Sequence, residues 1–292
     1  MFFPISSGRR NGLIVTLIVG ADGLIGGALL RLLCDAGEEV VGTSRRPGSG
    51  LVELDLREPD CFSVQPGIHT AVLCAGIGSL AECASAPLAT AAVNVDGTVR
   101  LARSLADAGV NVVLLSTNLV FDGATAFPTP GDPVSPCCEY GRQKARMERE
   151  LQGPRFAILR LTKVTESLGG RFRAWRGTLL GGGDIHASSV LRFSPVSLAS
   201  VCSVLAALSR RFEPGVFQLS GERDVSYFEA ALGWASFLGV PARQVRPDVD
   251  AATALLDPMP RHGTLALALP AACPARNFAA HGTTLIDFLR SL

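Results

Sequence analysis

Tyr140 and Lys144 stand four residues apart in Tyr140-Gly141-Arg142-Gln143-Lys144, a spacing that puts both side chains on one face of an α-helix. A phenol titrates near pH 10 and is a poor acid at neutral pH unless a neighbouring cation stabilises its phenolate. An ammonium one helical turn away is such a cation. Of the 27 basic residues only Lys144 and Lys163 are lysines, and Tyr140 and Tyr227 are the only tyrosines. With two of each, the pairing arises by chance at roughly the one per cent level, which sets it apart from an incidental pair on a solvated helix.

Upstream, an apolar run over residues 112–115 ends in Ser116-Thr117-Asn118-Leu119-Val120-Phe121. A hydroxyl at the C-terminal end of a parallel strand projects into the crevice where such sheets bind ligands, and can hydrogen-bond a substrate oxygen. Thr117 is the first candidate and Ser116 the second.

Near the N-terminus a strand-like run over 13–19 leads into Gly20-Ala21-Asp22-Gly23-Leu24-Ile25-Gly26 and then a helical pattern. Glycines without a Cβ let a chain turn tightly and let a dinucleotide's pyrophosphate sit on free N–H groups at a helix N-terminus. A purely structural turn is the alternative. The second strand ends Ser44-Arg45-Arg46 without an acid, which suits a 2′-phosphate and favours NADP over NAD. Two arginines solvating a loop is the competing reading. Asp55 and Leu56 fall where the adenine would lie, and Cys74-Ala75-Gly76 are small enough to let the cofactor pass.

The elements that must position these groups alternate at the rhythm of βαβ units. Strands are expected over 13–19, 39–43, 52–54, 70–74, 112–116, 156–161 and 216–219, apolar enough to be covered on both faces. Helices are expected over 24–36, 87–108, 135–151, 198–209 and 227–238. The fold class is α/β, a Rossmann-type doubly wound parallel sheet. Beyond about residue 165 the texture changes: Gly169-Gly170 and Gly181-Gly182-Gly183 read as flexible connections, and prolines punctuate a tail with little strand signal. Residues 1–165 are expected to bind the cofactor and 166–292 to form a smaller substrate-binding region, with part of 191–221 returning to the first unit.

A net charge of +1 argues against nucleic-acid partners and polybasic membrane surfaces. No run of about 18 apolar residues is uninterrupted, so no membrane span is expected. The N-terminus lacks a basic region ahead of an apolar core, and a cytoplasmic protein follows, with a twin-arginine signal at Arg9-Arg10 as the alternative. Eight cysteines show no C-x-x-C pair and no metal-ligand spacing, so neither a metal site nor a disulfide framework is expected.

Glycine turn, strand-end hydroxyl and Tyr/Lys pair occur in one order, and with them the chain resembles the extended short-chain dehydrogenase/reductase superfamily. Within it the chain is most similar to the dTDP-4-dehydrorhamnose reductase-like, sugar-nucleotide-binding branch. The similarity runs over about 13–164, with echoes in 94–98, 192–196 and 215–221. The resemblance implies hydride transfer between a nicotinamide and a keto group of a nucleotide sugar. By it, Tyr140 donates a proton, Lys144 lowers its pKa and holds the nicotinamide ribose, and Thr117 hydrogen-bonds the reacting oxygen. Asn118, Lys163 and Arg192 then face the substrate.

Two departures matter. The branch usually reads Ser-Thr-Asp-Tyr-Val-Phe where this chain has Asn118 and Leu119, and it often places an aromatic where Lys163 stands. Lys163 either meets an anionic group or is solvated. The family's dehydratases carry Thr-Asp-Glu here, so Thr117-Asn118-Leu119 disfavours dehydration. Arg171, Arg173 and Arg176 either clamp a diphosphate or form a solvated face. His186 reads as a loop residue, Tyr227 as packing, and Cys137-Cys138 as inert thiols. A nucleotide-sugar epimerase and a non-catalytic NADP-binding regulatory subunit are the alternative functions. Homodimerisation is common in the superfamily.

Overall fold

A computed structural model describes residues 15–250 and 258–273. Its strands are β1 (Val15–Val19), β2 (Glu39–Ser44), β3 (Val52–Glu53), β4 (Ile68–Leu73), β5 (Asn111–Thr117), β6 (Phe156–Leu161), β7 (Lys163–Val164), β8 (Ile185–Ser188), β9 (Arg192–Phe193), β10 (Pro195–Val196), β11 (Gly215–Leu219), β12 (Val225–Ser226) and β13 (Val245–Asp248). The helices are α1 (Leu24–Asp35), α2 (Leu80–Ser85), α3 (Pro87–Ala91), α4 (Thr98–Asp107), α5 (Glu139–Glu150), α6 (Gly169–Leu180), α7 (Leu198–Arg210) and α8 (Tyr227–Leu238). Leu13 and Ile14, expected in the first strand, lie outside the described residues.

Seven strands pair in the order β11-β6-β5-β4-β1-β2-β3, every pairing parallel. From β1 the chain runs outward through β2 and β3, then crosses to β4 and continues the other way. That reversal opens a crevice beyond the C-terminal ends of β1 and β4. The strands alternate between two cores. Ile18, Val72 and Val113 pack with Leu29 and Leu33 of α1 and Val201 and Leu205 of α7. Leu17, Val19, Ala71 and Leu114 pack with Leu101 and Leu105 of α4 and Met147 of α5.

After β6 the chain builds a second lobe from α6, α8 and three two-stranded ribbons, β7 with β10, β9 with β12 and β8 with β13. Phe172, Phe193, Trp234 and Val245 form its core, and the Trp234 indole donates to the Phe172 carbonyl at 3.1 Å. Between parts of this lobe, α7 and β11 return to the large sheet.

Three local expectations are corrected. The helix expected over 87–108 is α3, a single π-helical turn over Ala92–Gly97, and α4. The helix expected over 135–151 begins only at Glu139, because the Ser135 N–H is drawn to the Val120 carbonyl at 2.9 Å. Gly169 and Gly170 open α6 rather than forming a connection.

Candidate active site

The crevice lies at the C-terminal ends of the central strands, beneath the second lobe, and encloses about 600 Å³. Gly20 follows β1 at a φ of +83°, and a Cβ there would lie 2.8 Å from the Ala75 backbone. A Cβ at Gly26 would collide with the Gly20 carbonyl oxygen. Helix α1 starts at Gly23 with no side-chain cap and no acid in its first turn, while Gly23, Leu24, Ile25 and Gly26 line the crevice. Its leading N–H groups are left for an anion, so this cradle fits a dinucleotide's diphosphate. Opposite, Cys74, Ala75 and Gly76 also line the crevice, and burial pushes the Cys74 thiol up to about 12, leaving it inert.

The remaining cofactor candidates gather at the β2–β3 edge, outside the crevice lining. Asp22 lies 3.4 Å from Arg46 Nε, and Ser44 Oγ accepts the Arg46 N–H at 3.0 Å. Arg45 is exposed. The Arg57 guanidinium holds the Asp55 carboxyl below its usual pKa. Leu56 is buried, its carbonyl pressed against Gly97, where a Cβ would collide with it.

Tyr140 and Lys144 both reach the crevice from α5, with Lys144 Nζ 6.0 Å from the Tyr140 ring centroid. Gly141 lets this helix sit against the Leu119 carbonyl, where a Cβ would clash. Burial pushes the Tyr140 phenol up and brings Lys144 down to about 8, although Glu148 opposes the latter. Lys144 Nζ donates to the Leu115 carbonyl at 2.9 Å.

Period-two alternation separates the two hydroxyls at the end of β5. Ser116 Oγ turns to Glu148 Oε1 at 2.5 Å. Thr117 Oγ1 accepts the Leu119 N–H at 3.2 Å and donates to Asn118 Oδ1 at 3.4 Å. The Asn118 amide donates to the Gly263 carbonyl at 3.0 Å, and the Gly263 N–H is held by both oxygens of Asp224 at 3.1 Å. Met259, Pro260 and Gly263 thereby form part of the crevice wall.

Two further residues tie the helix that carries Tyr140 and Lys144 to the π-helical turn. Asn94, in the π-helical turn, donates to Gln143 Oε1 at 2.8 Å and accepts the Ile77 N–H at 2.7 Å. The sequence marks Asn94 only as part of an echo of the branch and gives neither residue a role in the site, since neither contact has a local signature.

On the lobe side, Lys163, Arg171, Arg192 and Tyr227 line the crevice. Tyr227, expected to pack, does so only in part: its ring tilts on Phe193 at 4.8 Å, and the Arg171 guanidinium lies 4.6 Å from its centroid. Arg173 and Arg176 are exposed and outside the lining. His186 sits in strand β8 rather than a loop.

A parallel sheet carrying a Tyr-x-x-x-Lys helix and a strand-end hydroxyl at its switch point defines the extended short-chain dehydrogenase/reductase class of oxidoreductases. Residues 14–272 match the model of the RmlD substrate binding domain, and the chain belongs to that family. A probable low-salt glycan biosynthesis reductase of Haloferax volcanii is 31% identical over 183 residues, 57% of this chain and 61% of that protein. The methionine adenosyltransferase 2 subunit beta of Rattus norvegicus is 27% identical over 256 residues, 80% of this chain and 75% of that protein. The dTDP-4-dehydrorhamnose reductase of Aggregatibacter actinomycetemcomitans is 27% identical over 230 residues, 74% and 76% of the two chains. Among solved structures, dTDP-4-dehydrorhamnose reductase from Bacillus anthracis in complex with NADP superposes with a TM-score of 0.75 at 16% identity, covering 97% of this chain and 98% of that one.

Proposed function

We propose that the protein is an NADP-dependent reductase of a keto group on a nucleotide sugar. The observation that carries the reading is the convergence of Tyr140, Lys144 and Thr117 on one crevice beside the glycine cradle. In this reading residues 1–165 hold the cofactor and 166–292 chiefly the substrate. Gly20, Gly23, Gly26 and the start of α1 hold the diphosphate, and Arg45 and Arg46 meet the 2′-phosphate. NADPH, when bound, supplies the hydride.

The protein's own residues manage the proton. Burial keeps Tyr140 protonated, so it is competent to hand its phenolic proton to the carbonyl oxygen. The Lys144 ammonium stabilises the phenolate left behind. The Leu119 N–H occupies one lone pair of Thr117 Oγ1, and its hydroxyl proton, directed at Asn118 Oδ1 over a long 3.4 Å, turns to the same substrate oxygen when the keto group enters. A cytoplasmic location and a homodimer belong to the proposal, to be read by fractionation and light scattering.

Tyr140→Phe is expected to keep NADPH binding and to lose about 100-fold or more of keto-sugar reduction. An undiminished rate would overturn the assignment. The similarity to the rat methionine adenosyltransferase subunit favours a second reading, a cofactor-binding subunit without turnover. Stoichiometric NADPH consumption with any keto sugar excludes it, and also excludes an epimerase that regenerates its nicotinamide.

A further inference from the structure

Leu161 of β6 is the register partner of Thr117, and Lys163 lies two residues beyond it. Lys163 therefore opens β7 just past the end of the strand that neighbours Thr117, one step further out along the crevice wall. Lys163, Arg171 and Arg192 all line this crevice, and among the described residues no Asp or Glu does. Glu166, the closest acid along the chain, spends Oε2 on the Thr165 hydroxyl at 2.8 Å and the Leu198 N–H at 2.9 Å. Among the described residues none of the three cations has an ion-pair partner.

Lys163 and Arg171 are close enough to repel. Burial first, and then the Arg171 charge, hold the Lys163 pKa below that of an ordinary lysine. Like charges crowded in one cleft are relieved when anionic groups enter it. The three cations do not all serve the same anion. Arg171, braced on Tyr227, and Arg192 come from α6 and β9, whereas Lys163 opens β7 directly after β6, two residues past the register partner of Thr117. Guanidinium forks suit the paired oxygens of a diphosphate, and a compact ammonium on a flexible stem suits a single carboxylate.

We propose that Lys163 recognises a carboxylate on the sugar ring, so that the favoured substrate is a nucleotide sugar acid whose diphosphate falls to Arg171 and Arg192. This rests on the reading of the crevice as a nucleotide-sugar site. It assigns to Lys163 a specificity role close to the reacting carbon.

Calorimetric titration of the NADP-loaded full chain with UDP-glucuronate and UDP-glucose, and with the corresponding thymidine diphosphate pair, tests it. Wild type is expected to bind the acid of at least one pair about tenfold more tightly than the neutral sugar. Lys163→Met should erase that preference with the neutral sugar's affinity kept, and Lys163→Arg should retain most of it. Equal affinities in wild type, no binding of any of the four, or equal weakening of acid and neutral sugar by Lys163→Met would each overturn the proposal, the last by putting Lys163 on the diphosphate. Titration reads binding without turnover. A surviving acid preference alongside no NADPH consumption on any keto sugar therefore sinks the reductase reading and leaves this one standing.

Discussion

Glu148 accepts the Arg160 guanidinium at 2.7 Å on Oε2 and 3.1 Å on Oε1, and the two side chains are only 6% and 5% exposed. Ser116 donates to the same carboxylate, and Arg160 Nη1 reaches Gln218 Oε1 at 3.2 Å. Arg160 also lies over the Phe121 ring, 5.0 Å from its centroid. One buried network thus ties α5 to β5, β6 and β11. Glu148 is one helical turn from Lys144, so the network also sets where Lys144 stands relative to Thr117.

Glu148→Ala leaves a buried guanidinium without its counter-charge and should cost about 3–5 kcal/mol of stability. The double variant Glu148→Leu/Arg160→Met should lose less than either single change, because no charge is then stranded. Urea unfolding of the three variants checks this, and equal losses in all three would refute it.

Lys144 ties activity and stability to pH in opposite directions. Its pKa falls from 10.5 unfolded to about 8 folded, so between those values the unfolded chain binds the proton that the native state has released. Stability attributable to Lys144 therefore rises with pH across that window and is flat below it. The ammonium needed to support Tyr140 is lost over the same range, so kcat/KM should fall above about pH 8. Unfolding of wild type against Lys144→Met from pH 7 to 10, alongside the pH–rate profile, reads both.

Arg45 and Arg46 directly follow β2, and the proposed function gives them the 2′-phosphate. Arg45→Ala/Arg46→Ala should raise KM for NADPH about tenfold or more while leaving KM for NADH within about twofold. Parallel losses with both cofactors would mean that the arginines only solvate the loop.

Asn118 holds Gly263 across a separation of 145 residues. Asn118→Asp replaces the donating amide with a second oxygen facing the Gly263 carbonyl, leaving that acceptor unsatisfied and repelled. The wall formed by 259–263 should loosen, raising KM for the keto sugar about tenfold with KM for NADPH unchanged. Steady-state kinetics with each substrate varied in turn decide it.

The positions of β6 and α8 were legible from sequence to the residue, and the other long strands to within two residues, because each is a local apolar run bounded by glycine, proline or polar residues. The Tyr140/Lys144 pairing was legible for the same reason, being a spacing within one helix. Helix α2 was not, since six residues carry too little periodicity, and β8 and β13 pair with each other between residues 60 apart in the chain, Ile185 with Val245 through Ser188 with Asp248.

By itself the sequence determined the βαβ order, the glycine cradle and the facing of Tyr140 and Lys144, since helix and strand periods are properties of a few consecutive residues. Tertiary structure alone decided which groups share the crevice. It turned Ser116 to Glu148 and left Thr117 facing the ligand space. It committed Asn118 to Gly263, and it separated Arg171 from Arg173 and Arg176. It also brought Tyr227, Met259, Pro260 and Gly263 into the crevice lining. Those outcomes depend on packing between segments distant in sequence, which chooses each side chain's neighbours where local propensity does not.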